Sequence, residues 1–283
     1  MLNVISHDAP LLAHALRTLG RAGWLCAEYA FDIPLAENPE AALERARQEA
    51  RGAPADINLL PYFGRRKKLL AADMESTIID GECVDELADI AGVGPQVAAI
   101  TGRVMRGEIE FADALRERVA LLKGLPLAAL ERVYVERVHV NPGGAALVAT
   151  MRRHGAATML LSGGFSYFTQ RVAASLGFDN EQANVLLDDG SKLLGIVKEP
   201  ILGREAKLQA LEREAGARGI ALCETLAVGD GANDVDMIAR AGLGVAWHAK
   251  PVLAAVAGAR IVHADLTALL YLQGYREEEI VHG

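Results

Sequence analysis

A doubly wound α/β domain carrying a helical insertion, preceded by a small α+β module, is the fold this sequence predicts. Three observations lead there. Short apolar runs end abruptly in polar clusters, as in Leu69-Leu70-Ala71-Ala72-Asp73 and Leu226-Ala227-Val228-Gly229-Asp230. Continuous runs of this kind suit strands buried on both faces, which a parallel sheet demands. From residue 143 onward such runs alternate with helix-periodic stretches, and residues 80–141 read as nearly all helix. The expected sheet is parallel and Rossmann-like, with helices on both faces.

The bulk numbers narrow the classes. The 283 residues are 51% hydrophobic with a formal net charge of −8, and the pI is near 5.4. A sizeable core follows, and sequence-independent nucleic-acid binding, which needs cationic neutralisation of phosphates, is disfavoured. Cys26, Cys83 and Cys223 lie far apart in neither metal nor redox spacing, so a reducing compartment is expected. The first residues show no signal pattern and no apolar run approaches membrane-spanning length. A soluble, cytoplasmic protein without a membrane partner is the expectation.

Taken in order, residues 1–65 form the small module. Leu2-Asn3-Val4-Ile5 reads as a strand, Pro10–Arg21 as a helix, Ala27–Ile33 as strand-like, Pro39–Ala50 as a helix and Asp56–Leu60 as a last strand. No catalytic constellation falls within it, so docking, pairing into a homodimer, or regulation are its readings. Arg65-Arg66-Lys67-Lys68 reads as a solvated boundary, because the acidic balance gives a targeting or nucleic-acid role no support.

Residues 66–283 make the larger domain. Directly after its first strand come Val84–Ile90, Pro95–Arg106, Phe111–Leu122 and Leu127–Val135, each with apolar residues at helical spacing and mostly separated by Gly or Pro. Helices inserted there, at about 80–141, form a natural lid over the carboxyl edge of the sheet, where ligands of open α/β sheets bind. Gly143–His154 is then a helix, Thr158–Leu161 a strand, Phe165–Leu176 a helix, Leu193–Val197 a strand, Arg204–Ala217 a helix and Glu224–Val228 a strand. Asn233–Ala241, Leu243–Ala246, Pro251–Ala257, Ile261–Val262 and Leu266–Leu272 continue the alternation.

Four polar motifs stand at strand ends. Asp73 and Glu75 lie two residues apart before Ser76 and Thr77; taken alone, a turn or helix-cap aspartate explains them equally well. Ser162-Gly163-Gly164 follows Met159-Leu160-Leu161 and precedes a helix, an arrangement suited to cradling phosphate or simply to a capped turn. Lys207 lies on the next long helix and matters only where that helix faces the site. Asp230-Gly231-Ala232-Asn233-Asp234 is harder to explain by packing. Carboxylates this close repel unless a cation compensates, and a hard divalent ion takes oxygen ligands. A calcium loop of the EF-hand type fails because Ala232 stands where Asp or Asn is needed.

In combination and in this order, the four motifs resemble the haloacid dehalogenase-like hydrolase superfamily over about residues 66–270, helical lid included. The resemblance implies Mg²⁺-dependent hydrolysis of a small phosphomonoester through a covalent aspartyl-phosphate. Asp73 is then the nucleophile. Asp73, the backbone carbonyl of Glu75, and Asp230 hold the metal, with Asp234 in support. Ser162, Gly163 and Lys207 stabilise the substrate's phosphoryl charge, and Asn233, also substrate-binding, supports the metal ligands. Glu82 and Arg118 occupy the places where a branch acting on amino-acid phosphates grips the ammonium and the carboxylate, and the chemistry matches, since guanidinium meets carboxylate through a planar fork. Met105 and Phe111 resemble the apolar lid residues near that substrate. Position 75 departs from the pattern, which has Asp as general acid and base; Glu adds a methylene, so its carboxyl must fold back or reach from a shifted backbone. A phosphatase or phosphotransferase acting on another small phosphomonoester, and a non-catalytic amino-acid-binding regulatory protein, are the competing functions. A kinase of the P-loop type is disfavoured because no such loop occurs.

Overall fold

The computed structural model describes residues 1–8, 23–26, 29–35 and 38–282. The helix expected at Pro10–Arg21 and the first two residues of the strand-like Ala27–Ile33 lie outside them. In the N-terminal part, β1 (Leu2–Ser6), β2 (Gly23–Cys26), β3 (Ala30–Ile33) and β4 (Ala55–Leu59) form an antiparallel sheet ordered β2-β3-β1-β4. Leu2, Val4, Phe31, Ile33 and Ile57 pack with Ala46 of the helix Pro39–Glu49, while Ile5, Leu25, Ala30 and Leu60 join the main core. The alternation of side chains along a strand makes this division.

That sheet is also fastened by polar groups. The Asp56 carboxylate accepts from the backbone N–H groups of Val262 and Ala264 at 2.7 and 2.8 Å, and Asn58 pairs twice with the Arg260 backbone. The basic run is not the solvated boundary expected of it. Arg65 is buried against Asp32 and donates to the carbonyls of Tyr271 and Leu272, and Lys67 is buried on those of Gly64 and Cys223. Arg66 and Lys68 do face solvent, beside Glu279 and Glu224. Alternation in an extended segment places every second cation inside, and three of the four carbonyls that satisfy those two, of Tyr271, Leu272 and Cys223, come from distant parts of the chain.

The larger sheet has six strands, all parallel: β5 (Leu69–Asp73), β6 (Ala157–Phe165), β7 (Asn180–Asn184), β10 (Thr225–Gly229), β11 (Leu243–Trp247) and β12 (Ala259–Ile261), ordered β12-β11-β10-β5-β6-β7. Leu70 and Ala72 of the central β5 enter the apolar cluster on one face, and Leu69 and Ala71 the cluster on the other. A strand buried on both sides needs this unbroken apolar run. Asp73 stands where the run stops.

Three strands escaped the sequence reading, β2 (Gly23–Cys26) among them. β7 is polar (Asn180-Glu181-Gln182-Ala183-Asn184) because it is the edge of the sheet, and β8 (Leu186–Asp188) is a short partner of β9 (Leu193–Val197) in a hairpin. This hairpin packs on the lid, with Gly124 N–H donating to Leu193 at 2.8 Å and Leu193 N–H to Leu125 at 2.9 Å.

The lid is built from helices Cys83–Ala91, Gly94–Met105, Phe111–Leu121 and Ala128–Arg137. Its two connections to the sheet run side by side: Ile79 bridges Val140, Asp80 N–H donates to His139, Asn141 N–H to Ile78, and the Asn141 amide to the Thr77 carbonyl at 2.8 Å. The lid thus hangs from a paired hinge immediately after the residues that close β5. Among the described residues no helix is long and apolar enough to cross a membrane.

Candidate active site

The site forms where three parallel strands end. Register places Ala72 beside Val228 and Asp73 beside Leu161, so Asp230 emerges one residue past the level of Asp73 on one side and Ser162 on the other. Asp73, Asp230 and Asp234 offer oxygens within 4.8 Å of one another, and all three are buried. Asp73 is far from the other two in the sequence, and the parallel register brings them together.

Each carboxylate is held differently. Asp73 Oδ1 accepts from its neighbour Met74 N–H at 2.8 Å and from Lys207 Nζ at 2.5 Å, and no donor among the described residues takes Oδ2. Asp234 is fully occupied: Oδ1 by Lys207 at 2.7 Å and Oδ2 by Gly231 N–H at 3.1 Å. Gly229 makes that position reachable, since a Cβ on it would stand 2.5 Å from Asp234. Asp230 gives Oδ2 to Lys250 at 3.1 Å. The free oxygens are therefore Asp73 Oδ2 and Asp230 Oδ1.

Charge in this group does not balance. Burial and then Asp234 push the Asp73 carboxyl well above its ordinary range against the pull of Lys207. Burial raises Asp230 too, with Lys250 opposing it. Burial alone would lower the Lys207 ammonium, but Asp234 and Asp73 more than offset it, so it stays charged. One buried ammonium and one half-exposed one face three carboxylates. An oxygen-only donor set with two unengaged oxygens and excess negative charge fits a hard divalent cation.

Beyond Asp73 the chain makes a wide turn closed by Ile79 N–H on the Met74 carbonyl at 2.9 Å, with Glu75 extended and Ser76 left-handed at φ 54°. The turn sends the Glu75 side chain sideways. Its Oε1 accepts from Cys83 N–H at 2.9 Å, at the start of the first lid helix, and its Oε2 from the Ser162 hydroxyl at 3.0 Å. The extra methylene is accommodated against Gly164, where a Cβ would stand 2.2 Å from Oε2. Ser162 also accepts from Gly164 N–H at 2.8 Å. Ser162-Gly163-Gly164 is not itself a helix N-terminus: β6 continues with irregular register to Phe165, and the helix begins at Ser166.

Glu82 lies beside this turn, its Oε1 accepting from Ser76 at 3.0 Å, and burial followed by repulsion from Glu75 pushes its carboxyl up to about 8. Arg118, on the lid helix Phe111–Leu121, is half-buried; it touches the carbonyl of Ala114 at 3.4 Å, lies within electrostatic reach of Asp85, and makes no ion pair among the described residues. The structure does not bring it against the acid cluster. Asn233 adjoins Gly231 without a side-chain hydrogen bond among the described residues. Phe111 sits over Gly163 and Gly203, whereas Met105 is exposed.

Lys250 and Asn184 were missed by the sequence reading. Lys250 follows the end of β11, so the strand-end rule that found Asp230 would have found it. Asn184 donates to the carbonyls of Gly163 and Leu202 and accepts Leu202 N–H at 2.7 Å, tying the Ser162 segment to the approach of the Lys207 helix. A cavity of about 440 Å³ lies alongside rather than at the acid cluster, lined by the hinge residues Asp80 and Asn141 and by Trp247 and His263.

The family model of haloacid dehalogenase-like hydrolases matches residues 70–239. The chain belongs to the haloacid dehalogenase-like hydrolase family. Among curated relatives, a phosphoserine phosphatase of Archaeoglobus fulgidus is 45% identical over 228 residues, 80% of this chain; the match spans 66% of that protein, just under two thirds. Among solved structures, a family hydrolase from Salmonella enterica superposes with a TM-score of 0.86 at 29% identity, covering 98% of this chain and 99% of its own. A phospho-aspartyl intermediate analogue of phosphoserine phosphatase superposes with a TM-score of 0.68 at 38% identity, covering 72% and 98%.

Proposed function

We propose that this enzyme hydrolyses O-phosphoserine to serine and inorganic phosphate, with Asp73 as nucleophile and Mg²⁺ as cofactor. The observation that carries the reading is the state of Asp73: buried, one oxygen fixed by Lys207 and Met74, the other free beside Asp230. A nucleophile held so splits one difficult displacement at phosphorus into two easier ones. Asp73, Asp230 and the Glu75 carbonyl would hold the cation, with Asp234 in support. When bound, that cation supplies neutralisation of the repulsion between an anionic carboxylate and an anionic phosphate.

The chain's own groups do the rest. Lys207 faces the reacting carboxylate from within the protein, where a fixed charge is worth more than in water. The phosphoryl oxygens are taken by Lys207, by Gly163 and by the Ser162 hydroxyl, which must turn away from Glu75 to reach them. Glu75, released from that bond and protonated from solvent, gives its proton to the serine oxygen as it leaves and, as the resulting carboxylate, takes one back from the attacking water. Cys83 N–H holds the other Glu75 oxygen throughout and links the acid to the first lid helix. Glu82 complements the substrate ammonium and Arg118 its carboxylate, with the lid closed by Phe111 over Gly163. The described part of residues 1–65 docks on the edge of the catalytic domain through Asp56 and Arg65.

The test is Mg²⁺-dependent phosphate release from a panel of phosphoserine, phosphothreonine, phosphohomoserine and phosphate esters lacking an amino-acid group. Phosphoserine should lead the panel. Arg118→Ala should lower kcat/KM for it by about 10–100-fold, the worth of a charged hydrogen-bond pair, and leave the simple esters nearly unchanged. A flat panel in the parent protein would remove phosphoserine as substrate.

A further inference from the structure

We infer that Lys250 is a positioning residue for the cation site, a role resting on the cation-binding reading above. The inference comes from how Lys250 and Asp230 hold each other. Lys250 N–H donates to the Asp230 carbonyl at 2.9 Å, and Lys250 Nζ donates to Asp230 Oδ2 at 3.1 Å. One residue thus grips both the main chain and the side chain of the other, across the gap between the ends of β10 and β11.

Asp230 has no other side-chain partner among the described residues. Asp73 and Asp234 have Lys207 and backbone N–H groups to set their orientation; Asp230 has Lys250 alone. Its torsion is therefore decided by this contact. Engaging Oδ2 turns Oδ1 away from Lys250, the oxygen that a cation shared with Asp73 requires. Groups that orient a metal ligand from behind carry about 10–100-fold of metal affinity.

The backbone explains why Lys250 can serve. It precedes Pro251, whose ring starts the short helix Pro251–Ala254, and its extended conformation (φ −62°, ψ 149°) is the one a residue before proline favours. The stem is thereby held at the end of β11. The side chain remains 48% exposed, so its charge is screened and its contribution is mainly orientation. Two effects oppose each other here. An ammonium near a bound cation repels it, and an ammonium holding its ligand recruits it; the exposure of Lys250 favours the second.

The experiment is calorimetric titration of Mg²⁺ into the chelator-stripped full chain, comparing the parent with Lys250→Met and Lys250→Arg. The Met variant should bind Mg²⁺ about tenfold more weakly, and Arg, which keeps charge and donors, should recover to within about threefold. At saturating Mg²⁺ the Met variant should regain most of its kcat, which a general loss of structure would not allow. Mg²⁺ bound by the Met variant as tightly as by the parent, or more tightly, overturns the inference and marks Lys250 as neutral or competing. A parent chain that binds no Mg²⁺ overturns the cation reading itself, a result distinct from the first.

Discussion

On the sheet wall of the site, Asp73 and Asp234 share the Lys207 ammonium and Asp230 holds Lys250, whereas on the lid wall Glu75 and Glu82 lie together with only hydroxyls and a backbone N–H as partners. The difference is one of completeness. Buried charges are tolerated when paired and hydrogen-bonded and are costly otherwise. The sheet wall has its carboxylates paired with Lys207 and Lys250 within the protein. The lid wall has carboxylates without an ion-pair partner among the described residues, and under the proposed function a substrate ammonium would supply one.

Removing the proposed nucleophile tests the sheet wall most severely. Asp73→Asn should lower kcat by about 10⁵-fold or more, the scale on which hydrolases lose activity without their nucleophile, while folding is retained. Rapid-quench detection of phosphoenzyme from labelled substrate should find none; comparable turnover would move the chemistry off Asp73.

The next effect bears on the junction of the two walls. Glu75→Gln should lose about 10²–10⁴-fold, the worth of general acid–base help, and Glu75→Asp much less. Equal rates in all three forms, measured at saturating substrate, would show that position 75 holds structure only.

Lys207→Met should cost about 10²–10³-fold in kcat. It should also destabilise the metal-free protein by about 3–5 kcal/mol, as when a buried charge pair is broken. Added Mg²⁺ should recover part of that stability in thermal unfolding. Identical losses with and without Mg²⁺ would mean that packing of the Lys207 stem, not its charge, completes the sheet wall.

The smallest effect concerns the unpaired charge of the lid wall. An acid whose carboxyl rises on folding, here from 4.5 to about 8 at Glu82, penalises the folded state once ionised. The penalty is absent below about pH 4.5 and complete above about pH 8. The metal-free parent should therefore lose stability as pH rises through that window. Glu82→Gln should remove the loss, gaining on the order of 1–3 kcal/mol at about pH 9 and almost nothing at about pH 4. Parallel urea-unfolding profiles for the two proteins would show that the lid wall bears no such charge.

The architecture was largely legible before the structure because strands buried on both faces must be apolar throughout. β5 and β10 announced themselves that way, and the lid helices by their spacing. β7 did not, since an edge strand can be polar, and half of the Arg65–Lys68 run was misread because most of the carbonyls that bury it, those of Tyr271, Leu272 and Cys223, come from residues far along the chain.

Within the site, the sequence by itself determined which groups are available: the carboxylates at the ends of β5 and β10, Lys207, the Ser162 segment, and the glycines that leave room for Glu75 and Asp234. Only the tertiary structure decided which oxygen each carboxylate leaves free, that Glu75 bridges Cys83 and Ser162, and that Lys250 stands behind Asp230. The physical reason is that residue type fixes charge and donor count along the chain. Parallel register, burial and the left-handed turn at Ser76 fix which of those groups come within hydrogen-bond reach of one another, and charge pairing depends on that reach.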